Sequence, residues 1–157
     1  MAWLWRCLHP WGCSEPADDM QMGTLQCVMK RTLLLTTDPL DEAAWVKSRP
    51  PWTNMGAIVT FSGVVRDQES GQPINGLEYE EFRPMVEHQF GLLFDAMERQ
   101  WPQVVSVRLA HRVGKVPAGE TSLWLEVTAP HRAEAFASGQ WVIDEMKRVV
   151  PIWKKTF

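Results

Sequence analysis

The chain has 157 residues, 45% of them hydrophobic and 22% charged, with a formal net charge of -3. That is enough for one domain with a substantial core. The mild negative charge excludes a global pull toward nucleic acid or membrane surfaces, so an anion site must be a local cluster of cations. No apolar run approaches the ~20 residues of a membrane span.

Cys7, Cys13 and Cys27 are the only cysteines, and all lie in the N-terminal segment. The folded region therefore offers neither a disulfide framework nor a thiol nucleophile. Cys7 and Cys13 lack the tight CxxC spacing of a metal hairpin, and a reducing, cytoplasmic location fits this usage. Residues 1–30 read as a disordered or mis-started extension. Trp3, Trp5 and Trp11 follow no helical or strand period, Arg6 interrupts the apolar run, and His9-Pro10 ends it too early for a secretory signal. The folded domain is expected over residues 31–157.

Residues 32–36 are a β-rich run. A short helix follows, with Asp38 as its cap and Pro39 at its first position, through residues 40–46. Ser48-Arg49-Pro50-Pro51 breaks the chain. Residues 56–65 are apolar on both faces, which predicts a central strand. Residues 67–75, polar and containing Gly71 and Pro73, read as a loop, and residues 77–81 as a short strand. Over residues 85–101, Met85, Phe90, Leu93, Phe94, Met97 and Trp101 recur at near-helical spacing and predict an amphipathic helix. Residues 104–110 alternate as a strand, and residues 111–114 and 116–120 read as turns. Residues 121–129 set Leu123, Leu125 and Val127 against Ser122, Trp124 and Glu126, the pattern of a half-buried strand. Residues 131–149 form the last long helix. It must stop before Pro151, which cannot donate a backbone bond and disfavours helix in the preceding residue. Beyond it the chain is expected to run extended past Trp153. The order β-α-β-loop-β-α-β-β-α predicts an α+β fold.

Several chemistries lack their motifs. There is no GxGxxG or GxxxxGK[ST] phosphate cradle and no GxSxG elbow. No HExxH occurs, and the four histidines have no metal-ligand spacing. The candidates are cations. Arg66 closes a strand, His131-Arg132 opens the last helix, Lys147 sits about one turn before Pro151, and Lys154 lies just beyond it. A helix start has unpaired N–H groups and a positive dipole end, so His131 and Arg132 suit a phosphate or carboxylate. The plain alternative is a solvated first turn with Glu134 as counter-charge. For Lys147 the plain alternative is a basic helix end favoured by the macrodipole. His111-Arg112 reads as structural, its side chains bonding nearby carbonyls. Along one helix His131 and Lys147 are roughly 24 Å apart and on nearly opposite faces. Both can serve one small ligand if the helix start of one subunit meets the lysine end of its partner, which is the expected arrangement.

Phe61-Ser-Gly-Val-Val-Arg66, Leu77-Glu-Tyr-Glu80 with Met85, His111-Arg-Val-Gly114, Gly119-Glu120, His131-Arg132-x-x-Ala135-Phe136 and Lys147-x-x-x-Pro151-Ile-Trp-Lys154 together resemble, in order and spacing, the large (catalytic) subunit of molybdopterin synthase. The resemblance implies a single α/β-hammerhead-type domain and a homodimer at the centre of a heterotetramer. Its implied partner is a small ubiquitin-like sulfur carrier ending in a glycine thiocarboxylate. The implied substrate is cyclic pyranopterin monophosphate (precursor Z), which receives two sulfurs to become the dithiolene of molybdopterin. No cofactor or metal is implied for this step. By matched position, Val64, Val65, Arg66, His131, Arg132, Lys147, Lys154, Lys155 and Thr156 would contact substrate, with Lys147 the main catalytic group and Lys154 its support. Relatives usually carry an acidic residue shortly after the second lysine, where this chain has Thr156-Phe157, and sometimes a lysine where Val64 stands. The rival reading is a non-catalytic dimeric module that binds the carrier or a phosphorylated ligand; retention of both lysines favours the enzyme. Nucleic-acid binding is disfavoured, because the net charge is negative and no basic-aromatic platform is present.

Overall fold

The computed structural model describes residues 28–157. In chain order the elements are β1 (Lys30–Thr36), α1 (Glu42–Lys47), β2 (Ala57–Val64), β3 (Gln68–Glu69), β4 (Gln72–Pro73), β5 (Gly76–Glu81), α2 (Arg83–Gln100), β6 (Ser106–Arg112), β7 (Gly114–Pro117), β8 (Thr121–Ala129), α3 (Arg132–Val149) and β9 (Ile152–Thr156). The three cysteines and most of the expected N-terminal extension lie outside the described residues. Met29, however, is buried, and its N–H donates to Glu98 at 2.9 Å, so the folded unit reaches back further than residue 31.

The main sheet is mixed, in the order β1-β6-β8-β2, with β1 parallel to β6 and the other pairs antiparallel. Strand alternation sends Leu33, Leu35, Val59, Val107, Leu109, Leu123, Leu125 and Val127 to one face. There they pack against Val86, Phe90, Leu93, Phe94 and Met97 of α2 and Ala135, Val142 and Met146 of α3. Each large side chain fully buried in this way contributes about 1.5–3 kcal/mol. Met85 does not belong to this stripe and is 45% exposed. The buried positions of α2 run from Val86 at helical spacing, and one residue earlier points about 100° away.

The opposite face is covered by α1. Trp45 packs on Trp124 with ring centroids 5.0 Å apart. Glu42 accepts hydrogen bonds from the Ser62 and Thr121 hydroxyls at 2.6 and 2.7 Å. Beneath α1, Glu126 is only 1% exposed and accepts from Arg108 Nη1 at 3.1 Å and Arg49 Nε at 2.9 Å. The Arg108 guanidinium also lies 4.8 Å from the Trp45 ring centroid. Strand β8 is therefore buried on both faces rather than half-buried, because its polar side is sealed by α1 and neutralised from within. The helix itself is capped by Asp41, whose carboxylate accepts from the Ala44 N–H at 2.9 Å, and not by Asp38. The Asp38 N–H instead donates to Thr36 Oγ1 in the preceding turn.

Among the described residues, strand β2 is at the edge of this sheet, not its centre, and pairs only with β8. The segment expected to be a loop contains the β3–β4 hairpin, whose turn residues Ser70 (φ 52°) and Gly71 (φ 77°) both take left-handed backbone. That is the requirement of a type I′ hairpin turn. His111 and Arg112 belong to strand β6 and are buried rather than in a turn; Gly114, at φ 74°, lets the chain bend directly into β7. A second sheet, β7-β5-β9, is antiparallel and built on Val65, Leu77 and Val116. The observed fold is mixed α+β with two long helices, as expected.

Candidate active site

The end of β2 is bent out of register with β8 between Gly63 and Val64. A Cβ at Gly63 would stand 3.2 Å from Leu123 Cβ, so the two strands come together closely here. The Gly119 turn then grips the emerging chain: Val65 N–H donates to Glu120 O at 3.0 Å and Gly119 N–H to Val65 O at 2.8 Å. This fixes Val64, Val65 and Arg66 at one rim of a cavity of about 510 Å³.

The other rim comes from the C-terminal end of α3. The helix ends with Val150 N–H donating to Met146 O, and Pro151 turns the chain into β9, where Lys154 pairs with Tyr79 of β5. Lys147 from the last helical turn and Lys154 from the strand thus reach the same cavity from two different backbone geometries. Phe61, Leu77, Leu123, Met146 and Val150 supply apolar wall, and Glu69, Tyr79, His111 and Ser122 supply polar groups.

Three cations face one carboxylate across this space. Lys154 Nζ donates to Glu69 Oε1 at 2.8 Å, and Arg66 Nη2 to Glu69 Oε2 at 3.4 Å. The hydrogen bond and charge of Lys154 hold the Glu69 carboxyl below the usual carboxylate range. Lys147 takes part in none of the ion pairs among the described residues. An unpaired ammonium beside apolar wall is a receptor for an anionic group.

Deeper in the cavity, Tyr79 OH donates to Ser122 Oγ at 3.2 Å and Ser122 to Gly63 O at 3.1 Å. The Tyr79 ring meets His111 edge-on at 5.1 Å. His111 Nδ1 lies 2.7 Å from the Arg112 carbonyl, which can only accept, so the proton is on Nδ1. Burial pushes the His111 pKa down, with the carbonyl bond opposing. Arg112 Nε donates to Thr37 O and its guanidinium pairs with Glu120. Both side chains of this dipeptide bond carbonyls, in agreement with the structural role expected for them, yet His111 also lines the cavity.

The remaining expected site residues lie elsewhere. Alternation along β9 turns Lys155 away from Lys154, toward Glu80 and Glu78, and the bond to Glu80 raises its pKa. Thr156 borders a separate shallow depression with Pro73, Asn75 and Phe157. His131 and Arg132 are exposed at the N-terminal end of α3, outside the cavity that holds Lys147. The sequence reading missed Glu69, Tyr79, Ser122 and His111. Tyr79 and His111 stand inside two of the matched motifs, Leu77-Glu-Tyr-Glu80 and His111-Arg-Val-Gly114, without having been assigned to the site, and Ser70-Gly71 between short polar runs is a turn signal beside Glu69. No group of three or more His, Cys, Asp or Glu suited to a metal occurs among the described residues. No described helix is long and apolar enough to cross a membrane.

The family described as MoaE protein matches residues 35–149. The chain belongs to the MoaE family. It is 40% identical over 100 residues to a molybdopterin synthase catalytic subunit of Nostoc sp., a match covering 64% of this chain and 61% of that relative. The chain thus spans about three-fifths of that relative's length. It is 32% identical over 123 residues to a protein of the same name from Culex quinquefasciatus, covering 78% of each. The crystal structure of molybdopterin synthase from Staphylococcus aureus superposes with a TM-score of 0.71 at 28% identity, over 79% of this chain and 89% of that one.

Proposed function

We propose that this MoaE-family chain is the catalytic subunit of a molybdopterin synthase. It would move sulfur from a thiocarboxylated ubiquitin-like carrier to cyclic pyranopterin monophosphate. The observation that carries this reading is the convergence of Arg66, Lys147 and Lys154 on one cavity with no cysteine among the described residues. A thiocarboxylate brings its own nucleophilic sulfur, so the protein need not supply one. What it must supply is positive charge, to hold a cyclic phosphate and to stabilise the oxygen that departs when the ring opens.

In this reading Lys147, free of an internal ion pair, stabilises or protonates the developing oxyanion, and Lys154 supports it. Arg66 holds phosphate, with Val64 and Val65 shaping the rim. His131 and Arg132 reach the substrate from the second subunit of a homodimer, since about 24 Å of helix separates them from Lys147 in their own. Lys155 and Thr156 lie outside this cavity and take no direct part, and the carrier binds to form a heterotetramer in the cytoplasm. Neither a metal nor a cofactor takes part.

Incubating the chain with thiocarboxylated carrier and cyclic pyranopterin monophosphate should yield the dithiolene product, detected after oxidation to its fluorescent derivative. Tight carrier binding without dithiolene would make the chain a non-catalytic carrier-binding module instead.

A further inference from the structure

The mouth of the cavity already contains an anion of its own. Glu69 stands immediately before the Ser70-Gly71 turn and divides its two oxygens between Lys154 and Arg66, at 2.8 and 3.4 Å. The strands that carry it pair only through Gln68 with Pro73 and Glu69 with Gln72, supported by Ile74 N–H donating to Asp67 O. So short a hairpin has little stability of its own, and the Glu69 contacts tie its tip to β9. Those contacts are exchangeable: the Lys154 and Arg66 side chains are 52% and 77% exposed, and exposed ion pairs are weak. Lys147, on the other rim, has no such partner among the described residues.

We propose that Glu69 is a built-in competitor that determines which anions the cavity accepts. One anionic group docks on Lys147 while the Glu69 bridges stay intact. A second gains Lys154 and Arg66 only by displacing Glu69, which releases the tip of the β3–β4 hairpin. Three cations less one carboxylate leave two positive charges around the cavity. That total suits two singly charged groups brought together, such as a phosphate diester beside a thiocarboxylate. The inference rests on the reading of this cavity as an anion site.

Inorganic pyrophosphate, which presents two linked anionic groups, tests it on the full chain by calorimetry. Glu69→Gln should tighten pyrophosphate binding by about two- to fivefold, the size of one exposed ion pair. The gain should vanish when Arg66 and Lys154 are both replaced by alanine. In amide spectra of the wild type, the Ser70 and Gly71 signals should move on saturation with pyrophosphate. In Glu69→Gln they should start near that saturated position. Unchanged binding in Glu69→Gln, or a gain that survives loss of Arg66 and Lys154, would overturn the proposal. Weaker binding would do so as well, since Glu69 would then position Lys154 rather than compete for it. The measurement needs neither carrier nor pterin. A chain inactive in sulfur transfer that still shows the Glu69 effect would therefore remove the proposed function and leave this inference standing.

Discussion

Two clusters of opposite charges lie on this fold, and their chemistry differs because their solvation differs. Beneath α1, Glu126 is sealed from water and is shared by Arg108 and Arg49, with Trp45 and Trp124 stacked around the guanidinium. A buried charge must be paired, so every group there is committed to the structure. At the cavity, the exposed Arg66 and Lys154 share one half-buried carboxylate, and Lys147 has none among the described residues. Water keeps an unpaired cation tolerable at that site, and such a cation stays available to a ligand. Side chains of similar types thus hold the sheet together in one place and leave a cation uncommitted in another.

The largest expected effect removes the available cation. Lys147→Ala should lower sulfur-transfer turnover by about 10²–10⁴-fold, the usual weight of a positioned acid–base group. Its melting temperature and carrier affinity should stay near wild type. Near-normal turnover with saturating carrier would take Lys147 out of the mechanism.

A second experiment asks whether the cavity is complete within one chain. Homodimers of His131→Ala/Arg132→Ala and of Lys147→Ala should each be inactive. After subunit exchange, mixed dimers should regain one working site each. Verified mixed dimers as inactive as their parents would confine the site to a single subunit.

The buried cluster should respond in the opposite way to the cavity. Glu126→Gln leaves Arg108 and Arg49 without their counter-charge and should destabilise the fold by about 3 kcal/mol, read from urea unfolding. Turnover per folded molecule should change little. If stability were unaffected, water would have to reach this cluster, and the contrast between the two regions would fail.

The smallest effect concerns His111, which belongs to both worlds, being buried yet on the cavity wall. Its pKa in the folded state lies below the ordinary histidine value of 6.5. Below that value the unfolded chain takes up a proton that the folded chain refuses, so stability should fall as pH drops through it. Above it both states are neutral and no such dependence arises. Urea midpoints compared at about pH 7.5 and 5.5 should show the loss. The loss should shrink in His111→Gln, and equal acid sensitivity in that variant would assign the effect to other groups.

The sequence by itself determined the long helices, the break at Pro151, the placing of Lys147 and Lys154 on either side of it, and the family. These depend on signals within a few residues of one another: helical spacing, a missing N–H, a short motif. Only the tertiary structure decided that β2 is an edge strand and that β8 is buried on both faces. Apolar alternation records how much surface a strand needs covered, not whether a strand, a helix or another molecule covers it. Met85 and Asp38 were misread for a related reason: one helical step, or a competing aspartate at residue 41, changes which side chain is used. Glu69 meets Lys154 across 85 positions of sequence and Glu126 meets Arg49 across 77. No local pattern encodes such pairs; they join separate elements, the β3–β4 hairpin to β9 and the segment after α1 to β8, and that packing is chosen by burial summed over the whole chain.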